Sequence, residues 1–259
     1  MIASIASALV LLLLQLLVPH KPQSLVDYDK FILVNEYKYK IYEIFSLVPL
    51  FFFTSVICYF FYSLGNDIQE LVFAGREVDF AIYPPESFWL VPGMCFGFGL
   101  IVAPMELLYH LLLKDEYPIY IEYTNRKHGY DGYKVIRPLC VLFTIVGLLL
   151  SVLGLGWFTE IRDGKILIDE FYALTPLEYS AKDVRAITHY EKSLTAEGKE
   201  EAEPHYKITF SDGIVWDTSN NFSEVKYGKY TAIATYLAAK ANLKIVYKAV
   251  DADELAPPL

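Results

Sequence analysis

The chain has 259 residues, of which 54% are hydrophobic and 20% charged, and its formal net charge is −9. A net acidic chain without clustered Lys and Arg excludes a nucleic-acid partner, because phosphate neutralisation needs such clusters. Three cysteines (Cys58, Cys95, Cys140), each inside an apolar run, make neither a disulfide framework nor a zinc set and read as small buried hydrophobes.

The first expected membrane span is 2–18, apolar except for Ser4, Ser7 and Gln15, and it stops at Pro19. A signal peptide is the other reading, but no Lys or Arg precedes the apolar run and no Ala-x-Ala-like site follows it, which favours a retained helix. A polar loop with Lys21, Lys30, Lys38 and Lys40 comes next, then a second span, 44–64, rich in Phe and Tyr. The segment 65–87 is an acidic loop whose one cation is Arg76.

The third span, 88–113, holds Pro92 and Pro104, both expected to kink it. Gly93 and Gly97 stand at a GxxxG spacing that lets a neighbouring helix approach closely. Glu106 and His110, four positions apart on one helical face, are the candidate intramembrane polar pair. Their bland reading is structural pairing at the membrane interface. A basic, Tyr-rich loop follows, 114–137, in which 117–123 alternates like a short strand. Its Arg126, Lys127, Lys134 and Arg137 are candidates for lipid-headgroup contact, against the plainer reading of a topogenic loop. The fourth span, 138–158, is an uncharged run long enough, at about 1.5 Å per residue, to cross about 30 Å of hydrocarbon. Trp89 and Trp157, at the same expected end of spans three and four, read as interface anchors.

Loops one and three carry the basic residues, and loop two has Arg76 alone. By the positive-inside rule the odd loops are cytoplasmic, which puts the N-terminus and the C-terminal domain outside.

Beyond the last span the pattern turns to strands. Asp163-Gly164 marks a hairpin turn within 159–171, 176–190 reads as a further strand entered at 181–183, and Asp212-Gly213 centres a second hairpin. Residues 193–204 read as an exposed charged loop, flanked by His189 and His205 as exposed polar positions. Trp216 reads as core. From Tyr227 to Ala241 the period becomes 3.6, with Tyr230, Ile233, Ala234, Leu237, Ala238 and Ala241 on one face and Asn242 as C-cap. A last short strand starts near Lys244, and 249–259 reads as a disordered tail. Asn221-Phe-Ser223 fits a glycosylation sequon.

Three stretches carry a family resemblance: Phe158-Thr-Glu-Ile-Arg-Asp-Gly-Lys-Ile-Leu-Ile168, Tyr179-Ser-Ala-Lys-Asp-Val-Arg-Ala-Ile187 and Tyr206-Lys-Ile-Thr-Phe-Ser-Asp-Gly-Ile-Val-Trp216. With the spans before them and the helix after, they resemble the bacterial pleckstrin-homology-like (PH-like) domain of multi-pass membrane proteins. The likeness rests on hydrophobic spacing and on Tyr179, Asp183, Asp212 and Gly213. It implies a bent sheet capped by one helix, used for binding and assembly, with no catalytic residues. It also implies a cytoplasmic domain, against the charge rule.

The expected architecture is therefore four transmembrane helices over 1–158, then a mainly-β PH-like domain with a C-terminal capping helix over 159–248. No Ser-His-Asp set, phosphate-binding glycine loop, cysteine pair or zinc motif appears, so the sequence points to no catalytic residue, metal or cofactor. Expected partners are the lipid bilayer and an envelope or membrane protein, a second copy included. The alternative is a small transporter, channel or intramembrane sensor using Glu106 and His110.

Overall fold

The computed structural model describes residues 13–21, 28–171, 175–195, 198–220 and 227–251. The chain divides into two compact units, one of Met1–Ile68 with Trp89–Ser151, the other of Gln69–Phe88 with Val152–Leu259.

The first unit is helical: α1 (Tyr28–Phe45), α2 (Leu47–Phe73), α3 (Leu90–Leu100), α4 (Val102–Leu113), α5 (Tyr117–His128) and α6 (Gly132–Gly156). Among the described residues three helical stretches are long and apolar enough to cross a membrane: Val34–Phe73, Glu86–His128 and Gly132–Gly156. Their large side chains, among them Phe51, Phe52, Phe60, Leu149 and Val152, stand exposed, as a lipid-facing surface requires. The expected first span, 2–18, falls largely outside the described residues, of which 13–17 are helical. The break between α3 and α4 sits at Ile101. Pro104 explains it: without an N–H it cannot bond the carbonyl of Leu100, and the ladder resumes at Met105 N–H to Ile101 O, 3.3 Å.

Gly93 and Gly97 let α3 lie against α2. A Cβ on Gly93 would stand 2.7 Å from the Cys58 carbonyl oxygen, and one on Gly97 3.0 Å from that of Thr54. Two expectations are corrected here. The 117–123 stretch is a helical segment of α5, because its tyrosines at 117, 120 and 123 also fit a three-residue period, and Tyr120 and Tyr123 pack on the fully buried Tyr39. Trp89 is not an interface anchor. It is 2% exposed, its ring filling the space left by the missing side chain of Gly65.

The second unit is a β module of nine strands and one helix among the described residues. One antiparallel sheet runs in the order β1 (Phe80–Ile82), β2 (Phe158–Arg162), β3 (Lys165–Asp169), β4 (Leu177–Ser180). The other contains β5 (Val184–Leu194), β6 (Glu200–Glu201), β7 (His205–Phe210) and β8 (Val215–Asp217), with β9 (Ile245–Val250) parallel to β5. Helix α7 (Tyr227–Ala241) closes the core between them. Its inward face is the one the 3.6 period gives, with Ile233, Ala234 and Leu237 almost wholly buried against Ile161, Ile166, Ile187 and Ile208. Burial of each such aliphatic chain stabilises by roughly 1.5–3 kcal/mol. Asn242 ends the helix in a left-handed conformation, φ 54°, and the Leu243 N–H returns to the Ala238 carbonyl at 2.9 Å.

The turns behave as their residues require. Asp163 and Gly164 both have positive φ (50° and 76°), the two-residue geometry that matches the twist of a hairpin. Ser180 and Asp183 cap the short turn between β4 and β5 reciprocally. Tyr179 stacks on Phe210 at 3.7 Å and donates its hydroxyl to Asp212 Oδ2 at 2.9 Å, tying β4 to the β7–β8 turn.

The module is not the continuous segment 159–248 that the pattern implies. Residues 80–82, in the expected acidic loop, form edge strand β1, paired in register Phe80 to Ile161 and Ile82 to Thr159. At the other end, residues 249–250 complete β9 and Asp251 is fully buried, so the ordered chain runs further than the tail assignment allowed. The charged loop is also shorter than expected, since β5 extends to Leu194 and Ser193 is buried, donating its hydroxyl to Glu203. The Asn221 sequon lies outside the described residues.

Candidate functional site

Two polar constellations stand out, one in each unit. In the helical unit, α4, α5, α6 and residues 20–21 enclose a polar basin of about 830 Å³. It contains Glu106 and His110, but they do not pair with each other. Glu106 Oε1 accepts from Arg137 Nη2 at 2.8 Å, and the His110 ring lies 4.0 Å from that of Tyr117. The reason is geometric: α6 brings a guanidinium, with its fixed donor fork, to the Glu106 carboxylate. The Arg137 guanidinium also covers the Tyr133 ring at 5.0 Å, and the Tyr117 and Tyr133 hydroxyls bond to each other.

Deeper in the basin Glu122 is 4% exposed and draws His20 Nε2 to 3.0 Å and Arg126 Nε to 2.6 Å. Asn125 Oδ1 accepts from the Gly132 N–H at 3.0 Å, which fixes the turn between α5 and α6. The four bases expected at lipid headgroups each have a carboxylate partner: Arg126 has Glu122, Lys127 has Glu43, Lys134 has Asp131 and Arg137 has Glu106. Their charge is thus locally balanced, which reduces the net attraction they offer an anionic surface.

The second constellation is buried in the β module and was hidden in the sequence. His205 is 3% exposed rather than an exposed polar position, and its Nε2 lies 3.1 Å from Asp251 Oδ2. Its Nδ1 faces the Glu203 carbonyl at 2.8 Å, where it can act only as a donor. Lys207 extends between two carboxylates, bonded to Asp251 Oδ2 and 3.6 Å from Asp217 Oδ2. Asp217 Oδ1 accepts twice from Ser219. The ligand atoms of His205, Asp217 and Asp251 lie within 4.8 Å of one another, close enough for a shared cation. The Lys207 ammonium already supplies that charge, so the cluster is built as an ionic clasp joining β7, β8 and the end of β9. No sequence spacing could signal it, since His205 and Asp251 are separated by two further strands and a helix.

His189 is also buried, against the rings of Tyr206 and Tyr247 at 4.9 and 5.2 Å. Burial pushes its imidazole below the ordinary value, with Glu191 opposing and His205 adding to the effect. Trp216 is core, as expected.

Neither constellation presents a nucleophile held by a base. Compared with protein-family models, with curated proteins and with solved structures, the chain finds no match. The functional reading therefore stands on the chain's own geometry.

Proposed function

We propose that this chain is a non-enzymatic integral membrane protein whose PH-like β module serves binding and assembly, docking a protein partner or the membrane surface. The observation that carries this reading is the contribution of β1: a segment lying between two membrane-length helices completes the sheet whose other strands follow the third such helix. A sheet assembled from an inter-helix segment and the segment after the last membrane-length helix suits a binding module, and its ionic clasp is satisfied internally rather than arranged for chemistry. Two sheets closed by a terminal helix support the PH-like assignment; β1 from upstream and β9 after the helix are departures from it.

Contacts within each unit support an alternating topology. Residues of loops one and three meet, through the Pro19–Tyr130 bridge, His20–Glu122 and Lys38–Glu116. Loop two meets the C-terminal segment through β1–β2 and through the bond of the Asp163 N–H to Asp79. With loops one and three the basic ones, the charge rule makes the β module extracytoplasmic. The test is a single cysteine at Ser211, an exposed turn residue, in an otherwise cysteine-free chain treated with a membrane-impermeant thiol reagent on intact cells. Labelling supports this sidedness. Protection until lysis reverses it and agrees with the family resemblance.

Assembly is tested by purifying the full chain in mild detergent after chemical cross-linking in the membrane. A stoichiometric partner or homo-oligomer is expected. A lone monomer whose β module also shows no vesicle binding overturns the reading.

The polar basin favours a second reading, an intramembrane sensor or transporter acting through Glu106 and His110. It predicts a flux or pH response in reconstituted vesicles that Glu106→Gln removes, and an unchanged response eliminates it.

A further inference from the structure

The β module contains a cavity of about 510 Å³ that borders the ionic clasp at Asp217. That volume is within the range of small-ligand sites. Three aromatic rings form its wall: Trp157 and Phe171 are 5.1 Å apart and tilted by 61°, and Phe88 lies 6.1 and 6.0 Å from them at 74° and 76°. In such edge-on pairs the positive edge of one ring meets the negative face of the next, and rings of this kind offer a cation their negative faces. Phe88 is held in place by Gly154 of α6, where any Cβ would overlap the ring.

The remaining wall is electronegative. Asp169, at the end of β3, lines the cavity and has no hydrogen-bond or ion-pair partner for its carboxylate among the described residues. Its Oδ2 lies 3.8 Å from where a Cβ of Gly156 would be, at the last residue of α6, whose terminal carbonyls carry the negative end of the helix dipole. Burial raises the Asp169 pKa, the mark of a carboxylate that lacks a compensating cation. At the floor, Trp216 is 4% exposed and its Nε1–H has no acceptor among the described residues.

An aromatic cage beside an uncompensated carboxylate and a helix C-terminus is complementary to an ammonium group, which gains from the ring faces and from the negative charge together. We infer that Phe88, Trp157, Phe171 and Asp169 form a binding site for an organic ammonium, with Trp216 available to donate to an oxygen of the same ligand. Two sources have this chemistry, a free amine and a choline or ethanolamine headgroup. The headgroup is favoured by position in the chain: Phe88 lies in the first turn of one membrane-length helix, and Trp157 directly follows the end of another. This inference deepens the membrane-surface half of the reading above, and the soluble-ammonium arm of its test, which needs neither a partner protein nor a bilayer, separates its failure from that reading's.

The test uses the full chain in detergent and tetramethylammonium chloride as the probe, with sodium chloride at equal ionic strength as the reference. Tryptophan fluorescence reports binding, since two of the three tryptophans line the cavity. A saturable response is expected, weakened at least tenfold in Asp169→Asn while its circular dichroism and melting temperature remain those of the parent. Phe171→Leu serves as the second variant should Asp169→Asn fail to fold. A parallel arm measures retention on vesicles of phosphatidylethanolamine against phosphatidylglycerol. Asp169-dependent retention on phosphatidylethanolamine assigns the headgroup as the source, whereas a tetramethylammonium response without lipid preference assigns a free amine. Absence of a saturable response in both arms, or one that Asp169→Asn and Phe171→Leu leave intact, overturns the proposal.

Discussion

The Tyr236 hydroxyl donates to Asp79 Oδ2 at 2.8 Å across a sequence separation of 157 residues. The same carboxylate oxygen accepts the Asp163 backbone N–H at 2.8 Å, so one aspartate joins β1, the first hairpin turn and helix α7. These bonds, Tyr236 first, hold the Asp79 carboxyl below the ordinary carboxylate value. A depressed carboxylate pKa contributes stability that is full above the unfolded value and is lost as pH falls through the folded one. Asp79→Asn is expected to lower the melting temperature of the β module at neutral pH and to reduce its loss at acid pH. Thermal melts of both proteins from pH 7 down to pH 3 check this; parallel curves of equal midpoint would remove Asp79 as a tie.

His189 makes a separate contribution at milder acidity. Its imidazole is depressed by burial, so the unfolded chain binds the proton more readily than the folded one. Stability from this group is complete above about pH 6.5 and declines as pH drops below it. His189→Phe, which retains ring contact with Tyr206 and Tyr247, is expected to flatten the stability profile just below that pH. Urea midpoints at pH 7.5 and 5.5 measure it, and an unchanged difference between them would contradict the assignment.

The ionic clasp gives a prediction about charge rather than protons. Lys207→Met leaves Asp251, which is fully buried, and Asp217 with one cation fewer. Removing one partner of a buried pair typically costs about 3–5 kcal/mol. The destabilisation is expected to be partly recovered by millimolar zinc, because His205, Asp217 and Asp251 retain ligand atoms within 4.8 Å of each other. The parent, whose ammonium fills that role, is expected to show no zinc effect. Melting curves with and without zinc distinguish the two.

In the helical unit Glu122 is the carboxylate with most to lose. Glu122→Ala removes the carboxylate that buried His20 and half-buried Arg126 both bond, with an expected cost of about 3 kcal/mol. Glu122→Gln, which keeps an oxygen acceptor, is expected to lose less. Unfolding in mixed detergent micelles ranks the two, and equal stability of parent and alanine variant would show the basin to be dispensable.

Gly93→Ala tests the approach of α3 to α2. Its new methyl would meet a backbone carbonyl at 2.7 Å, an atom that cannot rotate away. Overpacking of this kind costs about 1–3 kcal/mol. Gly228→Ala, at a position with open space around it, is the matched control and is expected to be neutral or mildly stabilising.

Local chemistry made part of this fold legible. Asp163-Gly164 announces its hairpin because few residue pairs accept two positive φ angles, and the buried face of α7 follows from a 3.6 period. The kink near Pro104 follows from a missing N–H. What stayed hidden depends on distant partners. Phe80–Ile82 is too short to show a period, and it is a strand only because Thr159–Ile161 pairs with it. Residues 117–123 satisfy both the two-residue and the three-residue period, and the packing on Tyr39 decided between them. Arg137 could not be matched to Glu106, nor Lys207 to Asp251, since no spacing rule links them. The histidines at 189 and 205 read as exposed because polarity says nothing about a strand's inward face.

The β1–β2 pairing also sets an order of events during synthesis. Phe80–Ile82 leaves the ribosome before the third membrane-length helix exists, while Phe158–Arg162 follows that helix. The sheet therefore cannot close until the last helix has been translated, and β1 must wait with its backbone groups unpaired. A chain that mis-inserts that helix would separate the two strands by a bilayer and leave an open sheet edge, the feature that invites aggregation and proteolysis. Completion of the sheet is thus expected only in chains that bring the two flanks of the helical stretches to the same side.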